Sequence, residues 1–111
     1  MAQFKEMIIR KLKHHSMPQL ALDGKWIDEL GFTTGSMVSI VYHDSCLTLT
    51  TCPNAENSIA MLVVENKFVR GRERPQLVLN GFILKKSGLD VGDRVGLHLL
   101  PNQIQINKIN R

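Results

Sequence analysis

Pro18-Gln19-Leu20-Ala21-Leu22-Asp23-Gly24 returns as Pro75-Gln76-Leu77-Val78-Leu79-Asn80-Gly81, 57 residues further along the chain. The offset then holds without a gap. Gly31 maps on Gly88, Gly35 on Gly92, Val38 on Val95, Ile40 on Leu97, Leu47 on Ile104 and Leu49 on Ile106. Glycines and alternating apolar positions that agree over such a stretch mark an internal duplication. A duplicated small unit can imitate a symmetric dimer within one chain, so a two-fold arrangement is expected.

Each unit reads as strand, strand, short helix, strand, strand. In the first, Lys5 to His14 forms a strand and Gln19 to Leu22 alternates as a second. Lys25 to Leu30 carries Trp26, Ile27 and Leu30 at helical spacing. Asp23 suits the N-cap, and Gly31 suits the left-handed residue that ends a helix. Val38, Ile40 and Tyr42 alternate on a third strand; Leu47 and Leu49 follow after a turn at His43-Asp44-Ser45. The second unit repeats the plan: Met61 to Arg72, Leu77 and Leu79, a helical turn over Phe82 to Ser87, Val95 to Leu99, and Ile104 to Ile106 after Pro101-Asn102. The expected organisation is one domain over 1–111, with repeat one at 1–52, a polar linker at 53–58 and repeat two at 59–111. Neither half of about 55 residues buries much core alone, so the two should interdigitate.

The 111 residues are 43% apolar and 22% charged, an ordinary globular composition. The longest apolar run, Ile59 to Val64, falls far short of the roughly 20 residues of a membrane helix. Met1 to His15 lacks the pattern of a secretory signal, and a cytoplasmic location is expected. Cys46 and Cys52 sit six apart on what reads as one extended strand, about 20 Å at roughly 3.3 Å per residue, too far to pair. They are expected to stay reduced. With no CxxC or paired histidine spacing, neither a metal nor a cofactor is expected.

Net charge is +4, and its placement is more informative than its size. Lys5, Arg10, Lys11 and Lys13 crowd the segment before the first core, while residues 17–52 carry Lys25 against Asp23, Asp28, Glu29 and Asp44. Lys67, Arg70, Arg72 and Arg74 then precede the second core. Basic residues upstream of each core suggest a surface that faces a polyanion. Arg70, Arg72 and Arg74 are two apart, and on a continuous strand they project from one face. Phosphate contacts are therefore expected from Arg10, Lys11, Lys13, Arg70, Arg72 and Arg74, with nucleic acid (RNA, DNA or both) as partner and no membrane. The two-fold plan also admits a homodimer.

Candidates for chemistry are sparse. His14 and His15 adjoin the basic segment, and a histidine acid–base pair could cleave RNA without metal. Neighbours on a strand point to opposite faces, however, and no histidine recurs at the 57-residue offset. Trp26 could stack on a base, but its spacing with Ile27 and Leu30 makes it a core residue first. The carboxylates show no cluster of the kind a two-metal nuclease uses.

Gly24-Lys25-Trp26-Ile27-Asp28-Glu29-Leu30-Gly31-Phe32-Thr33-Thr34-Gly35-Ser36-Met37-Val38, followed by Cys46-Leu47-Thr48-Leu49-Thr50, resembles the SymE-like toxins, whose core reads G-x-W-L-x-x-x-G-F-x-x-G-x-x-V. The second half departs from that pattern: Phe82-Ile83 replaces Lys25-Trp26, and Leu89 replaces Phe32. SymE-like proteins are in turn similar to the AbrB/MazE swapped-hairpin proteins. The resemblance implies a type I toxin under antisense-RNA control that binds nucleic acid and acts as an RNA endonuclease. A non-catalytic AbrB-like DNA-binding protein, either a transcription regulator or a nucleoid-disrupting toxin, is the alternative; a protein-binding barrel is a third. The implied fold is mostly β: an AbrB-like swapped-hairpin or cradle-loop barrel of two tandem β-β-α-β-β repeats, an intrachain pseudo-dimer. A double-psi barrel is its close relative.

Overall fold

The computed structural model describes residues 3–11, 17–43, 46–51 and 58–109. The first unit comprises β1 (Gln3–Ile8), β2 (Arg10–Lys11), β3 (Pro18–Asp23), α1 (Lys25–Glu29), β4 (Met37–His43) and β5 (Cys46–Thr50). The second comprises β6 (Ala60–Val63), β7 (Glu65–Val69), β8 (Arg72–Leu79), α2 (Gly81–Lys86), β9 (Arg94–Leu100) and β10 (Gln103–Lys108). The expected mostly-β pair of repeats is present.

The repeats exchange strands. β1 of the first half pairs with β9 of the second, and β6 of the second pairs with β4 of the first. Strands β5 and β10 meet with Leu47 opposite Ile106, Thr48 opposite Gln105 and Leu49 opposite Ile104. Strands β3 and β8 meet with Leu20 opposite Leu79, Ala21 opposite Val78 and Leu22 opposite Leu77. In both pairings the central residue faces its own copy at the 57-residue offset, as a local two-fold axis requires.

The barrel expected from the sequence does not form. One sheet has six strands in the order β1-β9-β10-β5-β4-β6, and the other has four in the order β2-β3-β8-β7. Both are open. Closure would require the edge strands to pair with each other. Instead, each expected long first strand breaks at one buried residue and changes sheets. Ile9 separates β1 from β2, and Val64 separates β6 from β7. These breaks are equivalent: the Ile9 amide donates to Asp93 O at 2.9 Å, and the Val64 amide donates to Ser36 O at 2.9 Å. Their offset is 55, because the second half has two more residues between this corner and its proline. The Met61 to Arg72 strand is interrupted a second time by a turn at Arg70-Gly71, where both φ angles are positive (53° and 77°). That is the backbone of a tight hairpin.

One apolar cluster joins the inward faces of both sheets and the helices. Nine pairs of buried side chains are repeat equivalents: Leu20/Leu77, Leu22/Leu79, Ile27/Leu84, Phe32/Leu89, Val38/Val95, Ile40/Leu97, Leu47/Ile104, Leu49/Ile106 and the corner pair Ile9/Val64. At roughly 1.5–3 kcal/mol per fully buried large apolar side chain, this shared interior dominates the fold. Two members of the cluster have no buried counterpart. Ile83 corresponds to Trp26, which is only partly buried, and Leu99 corresponds to Tyr42, which is 38% exposed.

The helix ends follow the repeat less closely at the start than at the finish. Asn80 caps α2, its side chain accepting from the Ile83 amide at 3.1 Å. Asp23, expected as the cap of α1, instead ends β3 and pairs with Lys67, Nζ to Oδ2 being 3.2 Å. Gly24 takes the cap position at φ 117° without a side-chain hydrogen bond. Both C-terminal glycines behave as expected, Gly31 at φ +105° and Gly88 at φ +78°. No helix among the described residues is long and apolar enough to cross a membrane.

Candidate nucleic-acid interface

Register fixes which side chains share a face of the four-stranded sheet. Leu20, Leu22, Leu77 and Leu79 point into the core, so the alternate residues point outward. The pairs Arg10/Gln19, Asp23/Gln76, Lys67/Arg74 and Val69/Arg72 therefore lie on the outward face. Arg10, Lys67, Arg72 and Arg74 share that face, Arg10 at one end of the sheet and the other three at the opposite end. Arg10, Arg72 and Arg74 are exposed. Lys67 is tied to Asp23, an exposed pair that contributes at most about 1 kcal/mol.

The other expected phosphate contacts are placed differently. Lys11 pairs with Pro18 and shares the opposite side from Arg10. Arg70 is not on a strand with Arg72 and Arg74; it occupies the hairpin tip, and Gly71 supplies the second left-handed residue of the turn. Lys13, His14 and His15 lie outside the described residues, as does Cys52. Cys46 is a free thiol, with Sγ 3.7 Å from Asn107 Oδ1.

Sequence reasoning missed the groove at the end of this face. Strand β8 runs past the end of β3, and α1 crosses beside the overhang. Between them is a cleft of about 630 Å³ whose walls include Lys25, Trp26, Asp28, Arg72, Arg74 and Pro75. The Gly24 amide donates to Pro75 O at 3.2 Å and anchors the start of α1 against β8. Lys5 reaches across from β1, placing its Nζ 4.5 Å from the centroid of the Trp26 ring. That distance is a cation–π contact, and it shows that a face of the ring receives a polar group from outside the core. The only sequence signal for this cleft is the substitution of Trp26 for the aliphatic residue that the second repeat has at Ile83.

The described histidines stand away from the groove. His98 projects from β9 and meets Phe4 edge-on, with ring centroids 5.1 Å apart. His43 ends β4 opposite Cys46. Among the described residues, no three His, Cys, Asp or Glu side chains gather as a metal site.

Comparison with known proteins supports the motif resemblance. The family model for "Toxin SymE, type I toxin-antitoxin system" matches residues 6–51. Two curated relatives, both named Endoribonuclease SymE, come from Shigella flexneri and from Shigella flexneri serotype 5b (strain 8401). Each is 28% identical over 67 residues, which is 60% of this chain and 59% of the relative. The match thus spans little more than half the length of those proteins. No solved structure matches the chain significantly. Centred on its first repeat, the chain shows weak but specific homology to the SymE toxins.

Proposed function

We propose that this protein is a SymE-like toxin that binds nucleic acid through the outward face of its four-stranded sheet. One observation carries the reading: Arg10, from the first half, and Arg72 and Arg74, from the second, stand on the same outward face of the four-stranded sheet. Guanidinium groups match phosphate geometry and keep their charge at any physiological pH. Arg70 at the hairpin tip extends the same basic edge, and in the sequence Lys11, Lys13, His14 and His15 precede the first core as Arg70 precedes the second. The relatives' name makes RNA the first substrate to test and strand cleavage the activity to look for. DNA binding without cleavage is favoured by a separate observation: His43 and His98 both lie on the six-stranded sheet, away from the basic face.

A salt titration separates these readings. Labelled duplex DNA and single-stranded RNA are titrated with protein from low to high salt, and the RNA is then examined for fragments. Each phosphate neutralised on duplex DNA steepens the log–log salt slope by about 0.9. The double substitution Arg72→Ala/Arg74→Ala should therefore reduce the slope by roughly two contacts. An unchanged slope would remove this face from the interface. Fragments that appear with the wild type and disappear with His14→Ala or His15→Ala would support the endonuclease; intact RNA with salt-sensitive DNA binding would support the alternative.

A further inference from the structure

We infer that the groove between α1 and β8 receives one unpaired base of a single-stranded nucleic acid against Trp26, with the adjoining phosphates on Arg72 and Arg74. The inference rests on the nucleic-acid reading above and specifies which form of nucleic acid the site selects.

Three observations point to a base. First, the duplicated core requires an aliphatic residue where Ile83 stands, 1% exposed, yet the first half has there a larger aromatic that is only partly buried. Second, the groove is not uniformly basic. Asp28 and Glu73 line it along with Lys25, Arg72 and Arg74. A phosphate lodged among those carboxylates would be repelled, whereas a neutral base can stack on the ring and offer its N–H donors to them. Third, the arginines lie on a strand that continues away from the ring along the outward face, so that a backbone can follow it while one base turns in.

The equivalent position in the other half carries an apolar side chain. Position 74 corresponds to 17, and Met17 packs against Gly81: a methyl group at Gly81 would lie 3.2 Å from Met17 Cβ and 3.5 Å from Pro18 Cδ. A partly exposed methionine lies against the start of one helix, whereas a ring and two arginines line the groove at the other. A base inside a duplex has both its faces covered by neighbours, so a ring in a recess selects a base free of the stack.

Trp26 is the only tryptophan in the chain, and its fluorescence therefore reports the contact directly. The titrants are oligouridine, oligothymidine, a strand of equal length with abasic sugars, and a duplex. Affinities are read separately from label anisotropy. We expect the single strands with bases to quench Trp26 fluorescence, and the abasic strand and the duplex to bind by charge with little quenching. The tighter of oligouridine and oligothymidine distinguishes RNA from DNA as the source of the base. Trp26→Ile installs the residue that the second repeat already accommodates. It should weaken single-strand binding roughly 5- to 100-fold and leave duplex binding within about twofold. Trp26→Phe keeps a ring and should recover most of the loss. An abasic strand that binds as tightly as oligouridine, or a duplex that quenches equally, would overturn the stacking inference while leaving nucleic-acid binding intact. Failure of every strand to bind at low salt would overturn both.

Discussion

The two halves of this chain share a core but not a surface. Nine pairs of buried positions are apolar in both copies, and the central pairings of β3 with β8 and β5 with β10 are symmetric about the same axis. Away from the interior the copies part. Trp26 faces a groove where Ile83 is buried, Arg74 stands where Met17 lies against Gly81, and Asp23 binds Lys67 where Asn80 caps a helix. The difference separates two kinds of constraint. Positions that meet across the axis must fill one shared volume, so a change in one copy is felt by both. Solvent-facing positions are released from that coupling, and there one copy can acquire a binding surface that the other lacks.

The comparison can be broken first in the core. Phe32 and Leu89 occupy equivalent sites, 0% and 4% exposed. Phe32→Ala should cost about 4 kcal/mol and Leu89→Ala about 3 kcal/mol, because the larger ring leaves the larger cavity. Denaturant midpoints measured on both variants check the order. A negligible cost at either site would show that the two halves do not share one cooperative interior.

The helix ends come next in size. Gly31 and Gly88 both have positive φ, which costs a non-glycine residue about 1–2 kcal/mol. Of the two, only Gly31 has a close neighbour among the described residues: a methyl group there would collide with the Asn102 side chain. Asn102 is held in place, its amide donating to Leu30 O at 2.6 Å and its Oδ1 accepting from Thr51 Oγ1 at 3.0 Å. Gly31→Ala should therefore destabilise by about 3 kcal/mol and Gly88→Ala by only about 1 kcal/mol. Thermal unfolding of the two variants tests the difference, and equal losses would mean that Asn102 yields freely.

At the other helix end the expected effects are smaller. Asn80→Ala removes a cap and should cost about 1 kcal/mol. Asp23→Ala removes only an exposed ion pair and should cost about 0.5 kcal/mol. If the two losses were alike, Asp23 would be serving α1 in solution as Asn80 serves α2.

What the sequence conveyed follows the same division. The repeat, the turn glycines and the inward alternation of Leu20, Leu22, Leu77 and Leu79 were legible because each is a local pattern with a local cause. Sheet closure was not legible. Alternation says which face a residue takes and leaves open which strand lies beside it, so the pairings of β1 with β9 and of β6 with β4 are not written in either segment. The spacing of Arg70, Arg72 and Arg74 misled for a related reason: two-residue spacing shares a face only while the strand continues, and Arg70-Gly71 is a turn. The groove was hidden because Trp26 and Arg74 are far apart in the chain and meet only once the halves cross. Trp26 itself drew attention, but helical spacing with Ile27 and Leu30 points to the core for any large apolar residue. Its mismatch with Ile83 was the stronger signal.

The smallest effect gives the most selective test of the surface difference. Arg74→Met places beside the groove the residue that stands at the equivalent position, 17, of the other half. The fold should tolerate it, since Arg74 is exposed. Single-strand affinity should fall roughly fivefold at moderate salt, and the salt slope should shallow by about one contact. Adding Met17→Arg to the same chain restores the net charge to +4 but places the charge beside Gly81, on a helix where the equivalent of Trp26 is the buried Ile83. If the site is the one described, the swapped protein binds as weakly as Arg74→Met alone. If charge alone governs binding, the second substitution restores it in full, and the difference between the two positions would then have no functional consequence. Affinity of the double variant at a single salt concentration decides between these outcomes, because both proteins keep Trp26 and only the position of one guanidinium distinguishes the swapped protein from the wild type's charge balance.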